Sequence, residues 1–143
     1  MKRAALVLGG TGGIGSAIVR RLCAEGIKVY ATYHRNSRKA REMQDSFKNC
    51  AMLRCDLTRS GGVDKMMDLI LKKGDEIDLF INSAASPPKL KLFEALSEEE
   101  WLEDMRVYFL SGVKVMRRLL PRMKERQSGT LLMILSSVLE QTP

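Results

Sequence analysis

Short apolar stretches alternate along this chain with longer stretches in which apolar residues recur every three or four positions. The short stretches are rich in aliphatic and β-branched residues, which predicts strands over 4–8, 28–33, 51–55, 77–82 and 130–135. The longer stretches predict amphipathic helices between the strands. Because strand and helix alternate throughout, the pattern indicates an α/β fold built around a parallel sheet.

The spacing of the apolar residues also predicts which face of each helix is buried. In the first three helices, the residues expected to face the core are Ile14, Ala17, Ile18 and Leu22, then Ala40, Met43 and Phe47, and then Val63, Met66, Met67, Ile70 and Leu71. Ser37 is the expected N-cap of the second helix, because a serine hydroxyl can accept a hydrogen bond from a free amide of the first turn.

The helix that follows Ser97 has the most regular pattern. Ser97 and Glu100 form a predicted capping box, and the acidic residues beside them suit the positive start of a helix. Apolar residues then recur at steps of three or four positions. They predict one buried stripe of Leu102, Met105, Phe109, Val113, Met116, Leu120 and Met123.

Composition and charge exclude several classes of protein. The chain has 143 residues, 45% hydrophobic and 29% charged, which predicts one soluble domain over residues 1–143. The net charge is +7, but the basic residues are scattered and no nucleic-acid-binding motif accompanies them, so no nucleic acid and no membrane is expected as a partner. Cys23, Cys50 and Cys55 are odd in number and contain no CxxC pair, which argues against disulfides and a metal site and favours a cytoplasmic location.

A glycine-rich segment, residues 9–15 with the sequence GGTGGIG, joins the first predicted strand to the first helix. Glycines allow a sharp turn and let the backbone approach a pyrophosphate, whose charge then meets the free amides at the start of the helix. Because it lies between a strand and a helix, the segment predicts a dinucleotide site rather than an ordinary turn.

This segment resembles the TGxxxGIG motif of the short-chain dehydrogenase/reductase family, with Gly9, Gly13 and Gly15 as the three glycines. Leu8 stands where the family has threonine, a departure expected to weaken the turn slightly. The looser spacing of the family's extended branch is also met, by Gly9, Gly12 and Gly15. The resemblance implies cofactor contacts from Gly9, Thr11, Gly12, Gly13, Ile14 and Gly15.

Two shorter motifs follow at the spacing of that family. Asp56 and Leu57 resemble a pair that contacts adenine, although an aspartate that begins a turn before Thr58 explains them almost as well. Asn82 and Ala84 keep two positions of the family's NNAG motif, and Asn82 could also bridge neighbouring strands with its amide. Because the extended branch places a histidine near this point, Asn82 favours the single-domain branch, which includes the 3-oxoacyl thioester reductases.

The segment after the second strand indicates the cofactor. An NAD site usually has an acidic residue there, which accepts hydrogen bonds from the ribose. Residues 33–37 contain no acid but include Arg35, whose planar guanidinium suits a 2′-phosphate. In the family an arginine at this point implies NADP, so NADP is the expected cofactor and NAD the less favoured one. His34 is expected on the adenosine side or in solvent.

The catalytic residues of the family are only partly represented. The fifth predicted strand leads into Ser136 and Ser137, which resembles the strand carrying the catalytic serine, and Ser137 is favoured because it is the last serine before the loop. The family's tyrosine and lysine form YxxxK, a motif absent from these 143 residues, so the chain is expected to end before it. The family's helix asparagine, part of a proton relay, falls on Tyr108, and a phenol cannot donate and accept as an amide does.

The resemblance implies a Rossmann-type doubly wound parallel sheet of five strands in the order 3-2-1-4-5, truncated at its C-terminal end. It implies an NADP(H)-dependent oxidoreductase that transfers hydride to or from a small carbonyl or alcohol substrate. The alternatives are a non-catalytic NADP-binding module, a truncated gene product without turnover and, less favoured, a basic nucleic-acid-binding domain. The helix after Ser97 could support the homo-dimers usual in the family.

Overall fold

Five parallel strands form the sheet of this chain, whose computed structural model describes residues 3–59 and 61–135. The strands are β1 (Arg3–Leu8), β2 (Lys28–Tyr33), β3 (Cys50–Arg54), β4 (Glu76–Asn82) and β5 (Thr130–Met133). Their order across the sheet is β3-β2-β1-β4-β5, and every neighbouring pair is parallel. The predicted strand order and Rossmann-type architecture are therefore confirmed.

Helices connect the strands and cover both faces of the sheet. They are α1 (Gly13–Ala24), α2 (Ser37–Ser46), α3 (Gly62–Leu71), α4 (Glu98–Met105) and α5 (Ser111–Glu125). Between α4 and α5 the residues Arg106–Leu110 are π-helical, so the long helix expected after Ser97 is interrupted. A 3-10 turn, Phe93–Ala95, precedes α4. Of the described residues, no helix combines the length and apolar character needed to cross a bilayer.

β1 is buried on both faces, because its side chains alternate between two hydrophobic cores. Leu6 and Leu8 belong to the core under α3 and α5, whereas Ala5 and Val7 belong to the core under α1 and α2. The helical residues of the first core are Val63, Met66, Met67, Ile70, Val115, Leu119 and Met123. Those of the second are Val19, Cys23 and Met43. The predicted buried face of α3 is thus confirmed.

The predicted buried face of α1 is only partly correct: Ile18 and Leu22 pack half-buried against the core under α1 and α2, but Ile14 and Ala17 do not. Ile14 is 59% exposed, and the buried residues of this helix are Gly15, Ser16, Val19 and Cys23. The cause is the close approach of α1 to the sheet at its first turn, which leaves room only for small residues there. The spacing of apolar residues takes no account of glycine and serine. It therefore predicts a buried face of α1 that is shifted by about one residue from the observed face.

The predicted buried stripe of the last helix is confirmed only at Met123, which is buried, and at Met116, which packs half-buried against the core under α3 and α5. Leu102, Met105 and Phe109 are 42%, 48% and 53% exposed. The buried residues are instead Val107, Ser111, Gly112, Val115, Leu119 and Met123. Small residues again let the helix approach the sheet: a Cβ at Gly112 would lie 3.0 Å from the Cε atom of Met133. The part of the predicted stripe that contains Leu102, Met105 and Phe109 faces outward.

The helix caps agree with the sequence at α4 and differ at α2. The Ser97 hydroxyl accepts a hydrogen bond from the Glu100 amide at 3.3 Å, and the Glu100 carboxylate accepts one from the Ser97 amide at 3.0 Å, so the capping box is confirmed. At α2 the N-cap is Asn36 and not Ser37. The Asn36 side-chain oxygen accepts a hydrogen bond from the Lys39 amide at 3.0 Å. Serine and asparagine are comparably good caps, so composition alone does not choose between neighbours.

A buried carboxylate links two elements at the amino-terminal edge of the sheet. Asp75, just before β4, accepts hydrogen bonds from the Tyr30 hydroxyl and, at 2.5 Å, from the Lys28 ammonium. Burial acts to raise the pKa of Asp75, but the hydrogen bonds from Lys28 and Tyr30 outweigh burial, so the pKa lies below its ordinary value. This cluster ties β2 to the start of β4, at the edge opposite the glycine-rich segment.

Candidate functional site

The segments singled out in the sequence gather at the carboxyl edge of the sheet. Residues 9–15 follow β1, residues 34–36 follow β2, residues 56–57 follow β3, and residues 83–84 follow β4. These four strands are parallel and adjacent, so the segments line one edge in the order of their strands. The carboxyl edge is where open α/β sheets bind ligands.

The glycine-rich segment forms a tight turn against the end of β4. Gly9 has a φ of +78°, which favours glycine, and a Cβ there would lie 2.8 Å from the Ala84 Cα atom. At Gly15 a Cβ would lie 2.1 Å from the Gly9 carbonyl oxygen and 2.7 Å from Ser83 Oγ. A side chain at either position would displace the turn.

The start of α1 is open to an anion. Its N-cap, Gly12, provides no side-chain hydrogen bond, and the first turn contains no acidic residue. Gly13 is exposed, with no heavy atom within 4 Å of the position that its Cβ would take, and Thr11 is half-buried in the turn. The first amides of a helix lack partners within the helix and carry its positive dipole end. This opening lined by backbone fits the pyrophosphate of a dinucleotide.

Thr32, which the sequence analysis missed, holds the turn in place from β2. Its hydroxyl accepts a hydrogen bond from the Gly9 amide at 3.0 Å, and its carbonyl oxygen accepts one from the Gly10 amide at 2.7 Å. Thr32 is buried, whereas Leu8, in the place of the family's threonine, points into the hydrophobic core. The feature of the sequence that could have pointed to Thr32 is a hydroxyl-bearing residue near the end of the second predicted strand.

Arg35 lies in the short connection between β2 and α2. Its side chain is exposed, and it forms no ion pair with any residue in ranges 3–59 and 61–135. The neighbouring His34 places Nε2 3.5 Å from Asp56 Oδ2. The guanidinium therefore remains available to an anionic ligand beside the end of β3.

The Asp56 side chain stabilises a turn with Thr58, which was the alternative to an adenine contact in the sequence analysis. Its Oδ1 atom accepts hydrogen bonds from the Thr58 amide at 3.0 Å and from the Thr58 hydroxyl at 2.6 Å, and Arg59 Nε lies 3.3 Å from Oδ2. Partial burial acts to raise the pKa of Asp56, but the hydrogen bonds from Thr58 and the nearby cations lower it below its ordinary value. Leu57 is half-buried against the core under α3. Contact of this pair with adenine stays a prediction.

Asn82 is buried and connects the end of β4 to the π-helical segment. Its Nδ2 atom donates a hydrogen bond to the Tyr108 carbonyl oxygen at 3.4 Å, and its Oδ1 atom accepts one from the Ala84 amide at 3.2 Å. Its side chain thus reaches a helix, while its backbone carbonyl accepts the hydrogen bond from Ile134 that continues the pairing with β5. The favoured catalytic serine, Ser137, lies outside the described residues together with Ser136.

The ionisable side chains of the described residues form no metal site at this edge of the sheet. Among residues 3–59 and 61–135, no three His, Cys, Asp or Glu side chains are arranged to hold a metal ion. The described residues at this edge offer the backbone amides at the start of α1, the guanidinium of Arg35, the carboxylate of Asp56 and the polar side chains of Thr32, Asn82 and Ser83.

Comparison with known proteins shows what the chain is similar to. The family model described as short chain dehydrogenase matches residues 3–142. The chain is 29% identical over 146 residues to 3beta-hydroxysteroid dehydrogenase 1 of Eggerthella lenta. This alignment covers 96% of the chain and 54% of that relative. It is 28% identical over 129 residues to the NADP-dependent 3-hydroxy acid dehydrogenase YdfG of Salmonella typhimurium, with coverage of 90% and 52%.

A solved structure gives the same result for the fold. The closed form of serine dehydrogenase complexed with NADP+ matches with a TM-score of 0.84 at 26% identity, over 100% of this chain and 57% of the other. The chain spans about half the length of the curated relatives that it matches.

Proposed function

Since this chain belongs to the short chain dehydrogenase family, we propose that it forms the cofactor-binding part of an NADP(H)-dependent oxidoreductase acting on a small carbonyl or alcohol substrate. The observation that carries the proposal is the uncapped start of α1, lined by glycine and directly beside Ala84 at the carboxyl edge of the sheet. Residues 1–143 are proposed to form one dinucleotide-binding domain.

The groups around the turn have proposed roles in holding the pyrophosphate. The amides of residues 12–15 would bind it, because the start of a helix attracts negative charge and glycines admit it close to the backbone. Thr11 and Ile14 would border the same opening. Asn82 and Ala84 would bound it on the β4 side, where the Ala84 Cα atom already limits the space at Gly9.

Arg35 is the basis for proposing NADP rather than NAD. Its guanidinium has no ionic partner in the described part of the chain, and residues 33–37 offer no carboxylate to a ribose 2′-hydroxyl. A guanidinium donates paired hydrogen bonds to a phosphate, so a 2′-phosphate would fit here. The names of two similar proteins, an NADP-dependent dehydrogenase and a serine dehydrogenase complexed with NADP+, support this choice.

The remaining roles concern the two ends of the cofactor. Asp56 and Leu57 would border the adenine, and Ser137 is proposed to hold the oxygen atom of the substrate. When bound, NADP(H) supplies the hydride chemistry. The chain's own contribution is to bind and orient the cofactor along the edge of the sheet. Self-association is proposed as well, through the exposed apolar side chains of α4 and the π-helical segment, among them Leu102 and Phe109.

The test is titration of the purified chain with NADPH and NADH, followed by nucleotide fluorescence, for the wild type, Arg35→Ala and Arg41→Ala. Arg41 is an exposed residue of α2, so its replacement removes the same charge away from the expected contact. Hydrogen bonds between charged groups contribute about 1.5–3 kcal/mol, so Arg35→Ala is expected to weaken NADPH binding by about 10- to 100-fold. Binding of NADH should change little in either variant.

Each outcome bears on a different part of the proposal. No binding of either nucleotide by a folded sample would refute the cofactor site. Equal effects of Arg35→Ala and Arg41→Ala on NADPH would refute the 2′-phosphate contact and leave a general charge effect. NADPH binding with no turnover of a panel of carbonyl and alcohol compounds would favour the non-catalytic alternative.

A further inference from the structure

The ten residues after β4, residues 83–92, are attached to the helix that follows them; we call them the post-β4 segment. Lys89 donates a hydrogen bond from Nζ to the Glu100 carbonyl oxygen at 2.7 Å and lies 3.1 Å from Asp104 Oδ1. The side chains of Lys89 and Asp104 are only 21% and 29% exposed, so solvent screens this pair less than a surface pair. Lys91 Nζ adds a contact of 2.7 Å to Glu100 Oε1.

Tyr108 makes the attachment nearest to the sheet. Its hydroxyl donates a hydrogen bond to the Ser86 carbonyl oxygen at 3.2 Å, and its own carbonyl oxygen accepts one from Asn82 Nδ2 at 3.4 Å. Because Asn82 ends β4, one residue is bonded to both ends of the stretch 82–86. Tyr108 lies in the π-helical segment, and such segments are rare insertions that frequently occur at functional sites.

The stretch that Tyr108 holds forms one wall of the glycine turn. Ser83 donates hydrogen bonds to the Leu8 carbonyl oxygen from its hydroxyl at 2.7 Å and from its amide at 3.1 Å. At Ala84, the Cα atom would be only 2.8 Å from a Cβ on Gly9, so the wall and the turn are in tight contact. Any displacement of residues 83–86 therefore changes the site on its β4 side.

This wall lies on the side of the site away from Arg35. With a pyrophosphate at the start of α1, a 2′-phosphate at Arg35 would place the adenosine half over β2 and β3. The nicotinamide half would then extend over β4 and β5, because the two halves of a dinucleotide lie on opposite sides of the point where the strand order reverses. The post-β4 segment and the π-helical segment both border that second half.

We infer that Tyr108 is a positioning residue for the nicotinamide half of the cofactor: its hydroxyl fixes residues 83–86 against the π-helical segment and so sets the β4 side of the site. The inference rests on the proposed function, since it presupposes a bound dinucleotide. Lys89 supports the same attachment further along the segment. The sequence gives Tyr108 the place of the family's helix asparagine, and the proposed role is argued from the hydrogen bonds of Tyr108 itself.

The test compares NADPH with 2′-phospho-ADP-ribose, which has the adenosine half and pyrophosphate but no nicotinamide, by isothermal titration calorimetry. Tyr108→Phe removes only the hydroxyl. A neutral hydrogen bond is worth about 0.5–1.5 kcal/mol, so NADPH affinity should fall by roughly 2- to 10-fold, while the affinity for 2′-phospho-ADP-ribose should not change. Lys89→Met should produce the same difference between the ligands. Lys124→Met, at the far end of α5, is the control for loss of a lysine and should affect neither ligand.

A second measurement reports the attachment without any ligand. Trp101 is the chain's single tryptophan, and its ring lies 5.5 Å from the Phe93 ring, which follows the post-β4 segment. In the ligand-free Tyr108→Phe and Lys89→Met variants, Trp101 fluorescence should be quenched more readily by acrylamide than in the wild type and in Lys124→Met.

The outcomes separate this inference from the proposed function. If the wild type binds neither ligand, the proposed function fails and the inference fails with it. If the wild type binds both ligands but Tyr108→Phe weakens both equally, or weakens neither, the proposed function stands and the positioning role of Tyr108 is refuted. Unchanged quenching of Trp101 in both variants would refute the attachment itself.

Discussion

Replacing Gly15 by alanine places a methyl group at the closest approach between α1 and the turn at Gly9. The new Cβ would lie 2.1 Å from the Gly9 carbonyl oxygen, 2.9 Å from the Gly9 carbonyl carbon and 2.7 Å from Ser83 Oγ. Two of these three atoms belong to the backbone, so rotation of a side chain cannot relieve the overlap. The turn must move by about 1 Å before ordinary contact distances return.

The expected loss of stability follows from three terms. Overpacking in a tight site costs about 1–3 kcal/mol. Movement of the turn weakens the hydrogen bond from the Gly9 amide to Thr32, which is worth about 0.5–1.5 kcal/mol, whereas the better helix propensity of alanine returns up to about 1 kcal/mol. The net fall in the free energy of unfolding is about 0.5–4.5 kcal/mol, or about 2–15 °C in Tm for a chain of this size.

The assay is thermal unfolding followed by circular dichroism, together with NADPH titration. Gly15→Ala should bind NADPH at least about tenfold more weakly, because the amides at the start of α1 no longer converge on one point. Gly13→Ala is the matched control for stability: no heavy atom lies within 4 Å of its Cβ position, so it should be neutral or stabilising by up to about 1 kcal/mol. A Gly15→Ala variant as stable as Gly13→Ala, with unchanged NADPH binding, would refute this account of the turn.

Two further predictions concern other parts of the molecule. Because the pKa of Asp75 is lower folded than unfolded, its stabilising contribution is present above about pH 4 and is lost as pH falls through the folded value. Asp75→Asn should therefore lower the free energy of unfolding by about 1–3 kcal/mol at pH 7. Asp45→Asn, at an exposed position, is the control. If the difference in stability between Asp75→Asn and the wild type were as large at pH 2 as at pH 7, the stabilising role of the ionised Asp75 would be contradicted. The wild type should self-associate in light scattering, and Leu102→Glu with Phe109→Glu should shift it toward monomer. A monomeric wild type would rule out this surface.

The strands could be predicted from their apolar runs, whereas their order across the sheet was implied by the resemblance to the short-chain dehydrogenase/reductase family. Residues 4–8 of β1, AALVL, are all apolar, as burial on both faces requires. The capping box at Ser97 was also predictable, since its two residues satisfy each other locally. The location of the site at the carboxyl edge of the sheet could also be predicted, because the motifs lie at the ends of the predicted strands.

The helix faces could not be predicted where the packing is closest. Gly15, Ser16, Ser111 and Gly112 are buried because they are small, a property that hydrophobic spacing does not register. The π-helical segment at Arg106–Leu110 likewise leaves no mark in the apolar spacing, which continues through it. Thr32 escaped notice because its role depends on a partner 23 residues away.

Thr32 has a consequence for how a ligand is recognised. It binds Gly9 and Gly10 from β2 and lies three residues before Arg35, so the opening at α1 and the backbone that carries Arg35 are connected through the same strand. A nucleotide that engages both groups acts as a chelate, because its second contact forms at a high effective concentration once the first is made. Free phosphate, which can reach only one group at a time, gains nothing from this arrangement. If both proposed contacts form, the spacing set by β2 would favour a ligand whose pyrophosphate and 2′-phosphate match it.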